Sequence, residues 1–480
     1  MAHPFTIKTS KGPNSIQKVL ILIHTILGIS GYSQAQPHFP FNGVRDTRPA
    51  TWYLSGATVI KSAGDTIQEG VVLIRNGRIE GVGKHIPQPA DARVLDLKGK
   101  YLYPAFLEPA ANYGMEAVKN QRSSRSSRRE EGPVLMPERE GAWNANDAIR
   151  ADQSAAELFV VKSEEAEKWR KAGYGAVLTH PHDGIMRGTG AWVSTSEGPE
   201  GTALLMPNAS THYSFDKGSS RQDYPSSLMG SIALLRQTLY DLQWYAQQSA
   251  VGKAHDQVLE AMQRTASLPK MFETPRKYDV LRVASIAKEF GFPFIATGTG
   301  EEYQYIQEIK ATGAALLLPL TFPEPMDVQD PFDAREASLS AMMHWEMAPA
   351  NAAIVHRAGV PFAITGKGLK SLDELLPRLR KAVERGLPAA AALEALTLAP
   401  ARLFGTDQWM GKIEKGFLGN IIVCSHPLFD PENRIIETWT SGKPYNNIQE
   451  EVAVDLRGIY RLNRIESAAQ DALGKGLSAP

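Results

Sequence analysis

The sequence predicts an α/β fold in which one helix-covered parallel barrel is flanked by a sheet made from both ends of the chain. Three observations predict it. Short β runs separated by turns fill residues 51–104, apolar strands alternate with helical segments over residues 105–405, and short β runs return over residues 406–457. Continuous apolar strands that alternate with helices are typical of a buried parallel sheet.

Residues 51–104 have the pattern of strands joined by tight turns. Apolar runs occur at 51–60, 70–75, 78–83 and 93–97. Asn76-Gly77 separates the second run from the third and is a strong hairpin signal. The pattern favours a small sheet or sandwich and not the start of a parallel α/β unit.

Residues 105–405 alternate between strands and helices. We expect apolar strands at 101–107, 176–179, 292–296, 314–320 and 360–365, and helices at 163–172, 226–247, 278–290, 302–312 and 372–385. Apolar residues recur at helical spacing in the longest of these helices. Strands at 411–413, 420–425 and 435–440 then complete the terminal sheet, and residues 458–480 form a tail.

The first 35 residues have the features of an export signal. Lysines precede an apolar run over residues 19–29, and Ser33-Gln34-Ala35 offers small residues for cleavage. The run of eleven residues is too short to span a bilayer, which needs about 20. We expect a periplasmic or secreted protein with no membrane span after cleavage and a linker over residues 36–50; a disordered N-terminal extension is the alternative.

The composition excludes several classes of protein. Lys+Arg and Asp+Glu count 52 each, which gives no electrostatic case for binding nucleic acid. The single cysteine, Cys424, excludes an internal disulfide and a Cys-rich zinc or iron–sulfur site. The arginine–serine run over residues 122–129 contains no apolar residue and predicts a solvated loop.

Several segments resemble the metal-dependent amidohydrolase superfamily. The stretches 70–83 and 94–108 are similar to its second and third hairpin strands and its entry into the barrel, and residues 392–416 to its closing helix and returning strands. The resemblance covers residues 52–445. It implies a (β/α)8 TIM-type barrel with an attached β-sandwich, and hydrolysis of C–N and related bonds with one or two divalent metals.

The metal-ligating residues that the resemblance implies are absent at the matching positions of this sequence. The resemblance places an acid, one residue and then His-x-His after the turn at Pro104, but Ala110 and Asn112 stand at the two His positions. Gly366 or Lys367 stands where an Asp would act as ligand and general base. We therefore predict no cofactor, with zinc only in a site that is not the family's.

Residues 180–190 form the richest polar cluster of the chain. His180, His182, Asp183 and Arg187 follow a strand, so we expect them at the rim where barrels bind ligands. Three interpretations remain open: a new metal site, a ligand-binding rim, and a structural loop in which His180 and Asp183 bond to loop amides.

Two further candidates lie elsewhere in the barrel. Glu301 follows a strand end and precedes a helix, so it could bind a cation or a substrate amine, or only cap the helix. His344 precedes Trp345 and could face the barrel mouth or be a packed, hydrogen-bonded residue. No nucleophilic triad pattern is visible.

The sequence leaves three functional hypotheses. The first is a non-catalytic scaffold or companion subunit, because several segments are similar to the degenerate first half of exported tandem amidohydrolase-like proteins. The second is a divergent hydrolase with a site rebuilt from His180, His182, Asp183 or Glu301. The third is a ligand-binding barrel without turnover. For the first, a separate exported catalytic amidohydrolase-type chain and a homodimer are the alternative partners, and an exposed apolar patch is expected.

Overall fold

The computed structural model describes residues 51–118, 133–248 and 254–448. The predicted signal, the linker, the arginine–serine run, residues 449–457 and the tail lie outside the described residues. Among the described helices, none is both long and apolar enough to cross a membrane.

Sixteen strands form in the described residues. In chain order they are β1 (Thr51–Ser62), β2 (Asp65–Arg75), β3 (Arg78–Gly83), β4 (Ala92–Asp96), β5 (Tyr101–Pro104), β6 (Phe106–Ala111), β7 (Tyr174–Thr179), β8 (Met186–Ser194), β9 (Leu204–Tyr213), β10 (Lys270–Phe272), β11 (Ile295–Thr297), β12 (Ala315–Pro319), β13 (Phe362–Thr365), β14 (Ile421–Cys424), β15 (Ile435–Thr440) and β16 (Lys443–Asn446).

The terminal strands form one eight-stranded sheet with the order β16-β15-β14-β5-β1-β2-β3, in which β4 pairs with β1. Both chain ends contribute, because β14 runs antiparallel to β5 and pairs Ile421 with Pro104. The predicted hairpin is present, with Asn76 and Gly77 at positive φ between β2 and β3. The expected strand at 411–413 was wrong: Ile413 only donates its N–H to the carbonyl of Lys61.

The second sheet is a nearly closed barrel with the order β13-β12-β11-β10-β9-β8-β7-β6. The predicted fold class is confirmed, with one departure from a regular (β/α)8 barrel. Strand β8 is antiparallel to both neighbours, β7 and β9, and the other pairings are parallel. Only the short helix Glu200–Ala203 separates β8 from β9, so the chain turns back instead of crossing over.

The single predicted strand over 101–107 is two strands in two different sheets. Strand β5 belongs to the terminal sheet and β6 to the barrel, with Ala105 between them. The Ala105 N–H donates to the Asn420 carbonyl, so the chain leaves one sheet and enters the other at this residue. An uninterrupted apolar run does not show such a change of sheet.

Helices cover the outside of the barrel. Their bounds are Ala155–Leu158, Ser163–Lys171, Glu200–Ala203, Leu228–Gln247, Gln257–Arg264, Asp279–Phe290, Ile306–Thr312, Pro331–Glu336, Leu339–Met347, Asn351–Ala358, Leu375–Glu384, Ala389–Leu396 and Leu398–Leu403, with 3-10 turns at Glu302–Gln304, Ala348–Ala350 and Leu372–Glu374. The Ser227 hydroxyl accepts from the Gly230 N–H and so caps the longest helix.

Apolar side chains from all eight barrel strands pack into one buried cluster. Its strand members are Leu107, Ala110, Ala176, Leu178, Trp192, Ala209, Met271, Ile295, Leu317 and Ala363. The barrel is therefore filled by side chains, as barrels of this size generally are. Polar side chains that could meet a ligand are found at the strand ends.

Candidate functional site

Three charged side chains and one imidazole, from four strands, meet at one end of the barrel. His182 follows β7, Glu273 follows β10 and Lys367 follows β13, all at the carboxyl ends of parallel strands. Arg187 is near the start of β8, and the antiparallel direction of β8 brings it to the same end. We call these four residues the mouth cluster.

Glu273 is the centre of an ion network in the mouth cluster. Its Oε2 accepts from Arg187 Nη1 at 2.6 Å, and its Oε1 accepts from Lys367 Nζ. Burial alone would raise the pKa of Glu273, but the charges of Arg187 and Lys367 outweigh burial and hold the pKa at about 2. The carboxylate is therefore ionised across the neutral pH range.

Three imidazole rings stack beside this network. The centroids of His180 and His182 lie 4.0 Å apart, and those of His180 and His212 lie 3.8 Å apart with an angle of 12° between the planes. Burial lowers the pKa of His182 to about 4, and burial together with the neighbouring imidazoles lowers the pKa of His180 well below its usual value. The stack is therefore neutral at pH 7.

Hydrogen bonds fix the outer two rings of the stack. His182 Nε2 lies 3.2 Å from the Ala111 carbonyl oxygen, which can only accept, so this nitrogen carries the proton. His212 Nε2 lies 2.7 Å from Ser210 Oγ, on the same side of β9. On β8, Gly190 makes room for this pair, because a Cβ there would lie 2.4 Å from His212 Nε2.

These residues do not fit a divalent metal. A metal ligand donates the lone pair in the plane of its ring, and stacked rings 3.8–4.0 Å apart keep these lone pairs in separate planes, 12° and 28° from parallel, so they do not meet at one point. Ala110 is packed inside the barrel and Asn112 is exposed, so the two positions that the resemblance assigns to paired histidines do not converge. In the described parts of the chain, no group of three or more His, Cys, Asp or Glu residues could hold a metal ion.

Asp183 holds the loop after β7 in place. Its Oδ2 accepts from Arg150 Nη1 at 2.6 Å and from Ser219 Oγ at 2.6 Å, and its Oδ1 accepts from the Ser219 N–H at 2.7 Å. The carboxylate is thus engaged by protein donors. Asp183 follows β7 at the same end of the barrel as His182, and a role for it in ligand binding stays a prediction.

Glu301 and His344 lie in another hydrogen-bonded group. His344 Nδ1 is 3.2 Å from the Tyr303 hydroxyl, and the Tyr303 N–H donates to Asn351 Oδ1. Glu301 Oε2 accepts from Gln304 Nε2 at 3.4 Å. Neither residue belongs to the mouth cluster.

Sequence reasoning missed Glu273 and His212. Glu273 follows a three-residue strand, Lys270–Phe272, which is too short to give a clear apolar run. Ser210 and His212 alternate along β9, so a strand prediction for residues 204–213 could have placed them on one face.

A cleft of about 970 Å³ opens beside the stack. Pro181, His182 and Asp183 line the cleft, and Leu158 and Val160 contribute apolar surface. The volume is within the range of small-molecule sites. The cleft gives a ligand a route to His182.

Comparisons with known proteins agree with the fold. Residues 255–450 match the amidohydrolase family. The crystal structure of an amidohydrolase from Thermotoga maritima MSB8 is 20% identical, covers 82% of this chain and 99% of that chain, and superposes with a TM-score of 0.63. No curated protein matches the sequence.

Two more distant structures also align. Molinate hydrolase is 14% identical, with 87% of this chain and 99% of that chain covered and a TM-score of 0.49. A β-aspartyl dipeptidase from Fervidobacterium islandicum AW-1 is 13% identical, with 86% and 100% covered and a TM-score of 0.45. These likenesses are too weak to carry a functional argument.

The fold defines a barrel protein with an attached sheet, of the architecture shared by the Thermotoga structure. Residues 255–450 are similar to the amidohydrolase family, which agrees with the resemblance found in the sequence. The narrower likeness to the degenerate half of tandem proteins stays a prediction.

Proposed function

We propose that this chain is a non-hydrolytic member of the superfamily that serves as a scaffold or companion subunit. The observation that carries the proposal is the side-chain set at the family's ligand positions. Ala110 has no donor atom, Asn112 is exposed, and Gly366 offers only its backbone. A zinc site needs three or four converging N, O or S ligands.

The contacts of Glu108 support the same proposal. Its Oε1 accepts from the Thr365 hydroxyl at 2.5 Å, and its Oε2 accepts from the Gly366 N–H at 2.8 Å. The side chain is fully buried and is held by protein donors on both oxygens. The acid of the family's motif therefore serves here to join strands.

A hydrolase rebuilt from His180, His182 and Asp183 is supported less well. Asp183 is paired with Arg150, and His182 donates to a backbone carbonyl. His180 is buried within the stack, with Nδ1 2.8 Å from the Pro181 carbonyl. Asp183 and His180 are thus engaged by protein groups, and the pKa of about 4 makes His182 a weak base for activating water.

Metal content tests the non-hydrolytic proposal. The purified full chain is incubated with zinc, dialysed and analysed by mass spectrometry, alongside His182→Ala and the control His85→Ala, an exposed residue. We expect far less than one zinc per chain in all three proteins. Near-stoichiometric zinc that His182→Ala removes and His85→Ala keeps would overturn the proposal in favour of the rebuilt hydrolase.

An exposed apolar surface favours the companion role. The helices Pro331–Glu336 and Leu339–Met347 contain no buried residue. Their apolar side chains point to solvent, with Phe332 75% and Leu339 69% exposed, and Met342, Met343 and Trp345 also exposed. Exposed apolar surface of this kind is typical of a protein interface.

The charge around this apolar surface indicates which kind of protein binds to it. Asp330, Asp333 and Glu336 are acidic and Arg335 is the basic residue of the first helix, so the rim is net negative. A second copy would bring a like-charged rim against it. The rim fits a separate exported catalytic amidohydrolase-type chain whose contact surface is apolar with a basic border.

Co-purification from the native compartment tests the companion role. We expect recovery of a chain with an intact metal-ligand set, lost on Phe332→Asp or Met343→Asp and kept in the control Met229→Asp, which changes an exposed residue of another helix. A homodimer that these variants dissociate, or a monomer only, would overturn this part of the proposal.

A further inference from the structure

The mouth cluster carries more positive than negative charge. Arg187 and Lys367 share one carboxylate, that of Glu273, which leaves a surplus of one positive charge. The imidazole of His182 is neutral at pH 7, and the nearby Asp183 is matched by Arg150. An unbalanced cation in a partly buried site is stabilised by an anion from solvent.

The cluster is reachable from solvent to different degrees. The Lys367 side chain is 36% exposed and Glu273 is 23% exposed, but Arg187 is only 5% exposed. A ligand at the mouth would therefore meet Lys367 first, with Arg187 behind it. Besides burial, the positive charges of Arg187 and Lys367 contribute to the lowered pKa of His182, and His182 lines the cleft.

Hydrogen-bonding capacity remains unused at the same place. An ammonium has three donors, and Lys367 Nζ gives one to Glu273 Oε1. Arg187 uses Nε on the Gly184 carbonyl and Nη1 on Glu273. Because the His182 proton is on Nε2, its Nδ1 is left as an acceptor.

We propose that the barrel mouth is a binding site for a small organic carboxylate. The ligand carboxylate contacts the Lys367 ammonium, with Arg187 adding positive charge from behind. An N–H or O–H group on the same ligand donates to His182 Nδ1. A single negative charge matches the surplus, whereas a phosphate carries about −1.5 to −2 at pH 7. This binding needs no partner chain and so does not depend on the companion role.

Titration calorimetry with a matched pair of probes tests the site. N-acetylglycine supplies a carboxylate and an N–H donor, and N-acetylglycinamide is its neutral counterpart. We expect saturable binding of N-acetylglycine only, weakened about tenfold in Lys367→Met. The control Lys370→Met removes an exposed lysine three residues away, paired with Glu324, and should leave the affinity unchanged.

A second variant is expected to change the affinity for N-acetylglycine in the opposite direction. Glu273→Gln removes the internal carboxylate that competes for both cations, so the affinity for N-acetylglycine should rise severalfold. A loss of packing could not produce this gain, which keeps the test decisive even where Lys367→Met unfolds. Equal binding of the neutral probe, tighter binding of inorganic phosphate, or weaker carboxylate binding in Glu273→Gln would overturn the proposal.

Discussion

The carboxylate of Glu108 accepts a hydrogen bond from the Gly366 N–H at 2.8 Å, and this contact joins the first barrel strand to the loop after the last one. The residues are 258 positions apart in the chain. By the resemblance drawn from the sequence, these two positions match the acid and one of the two candidates for the last metal-ligand position. Hydrogen bonds within the protein therefore join the first and last barrel strands at this point.

The first prediction concerns Glu108 and pH. Burial raises its pKa to about 7, from 4.5, against the bonds from Thr365 and Gly366 that lower it. The folded state thus holds a proton that the unfolded state releases, so the contribution of Glu108 to stability is full below pH 4.5 and is lost as pH rises through 7. We expect Glu108→Gln to remove this part of the pH dependence. Urea midpoints of both proteins at pH 5 and pH 8 measure the difference, and parallel profiles would contradict the prediction.

The second prediction concerns the imidazole stack, for which the sign is reversed. Burial lowers the pKa of His182 from 6.5 to about 4, so the unfolded state binds the proton first. Its contribution is full above pH 6.5 and is lost as pH falls towards 4. We expect His182→Gln to flatten the loss of stability between pH 7 and pH 5. The exposed His85→Gln is the control and should keep the wild-type slope; the same slope in all three proteins would refute the assignment.

The third prediction concerns Gly190. A methyl group there would lie 2.4 Å from His212 Nε2 and 2.9 Å from Ser210 Oγ, so Gly190→Ala should destabilise the fold by about 1–3 kcal/mol. Gly201→Ala is the matched control, because a Cβ at Gly201 meets nothing within 4 Å. Denaturant unfolding compares the two. Equal stability would show that the stack does not press against β8.

The fourth prediction concerns the loop held by Asp183. Asp183→Ala leaves Arg150 Nη1 and the Ser219 N–H without their acceptor, which should cost about 1–3 kcal/mol. The control Asp65→Ala removes an exposed ion pair with Lys61 and should cost less than about 1 kcal/mol. Thermal unfolding measures both. A smaller loss at Asp183 than at Asp65 would argue that the loop is held by other contacts.

Much of the fold could be predicted from the sequence because its signals are local. The alternation of strands and helices predicted the barrel, and Asn76-Gly77 predicted the hairpin between β2 and β3. The reversed direction of β8 could not be predicted, because Met186–Ser194 is buried throughout and a continuous apolar pattern is the same in either direction.

The mouth cluster was predicted only in part, since its partners are distant in sequence. His182 and Arg187 belong to one recognisable segment, but Glu273 lies 86 residues beyond Arg187 and Lys367 another 94 beyond Glu273. Only the barrel brings these residues to one end. The stacking of His212 on His180 likewise depends on the pairing of β8 with β9 and β7.

The most direct test of the central claim is the melting temperature of the full chain with added zinc and with a chelator. A ligand that binds only the folded state raises the melting temperature, and the rise grows with the logarithm of the ligand concentration above the dissociation constant. We predict the same melting temperature in both conditions, because the imidazoles stack and Ala110, Asn112 and Gly366 supply no ligand set. A melting temperature that rises with zinc concentration and falls on chelation would contradict it.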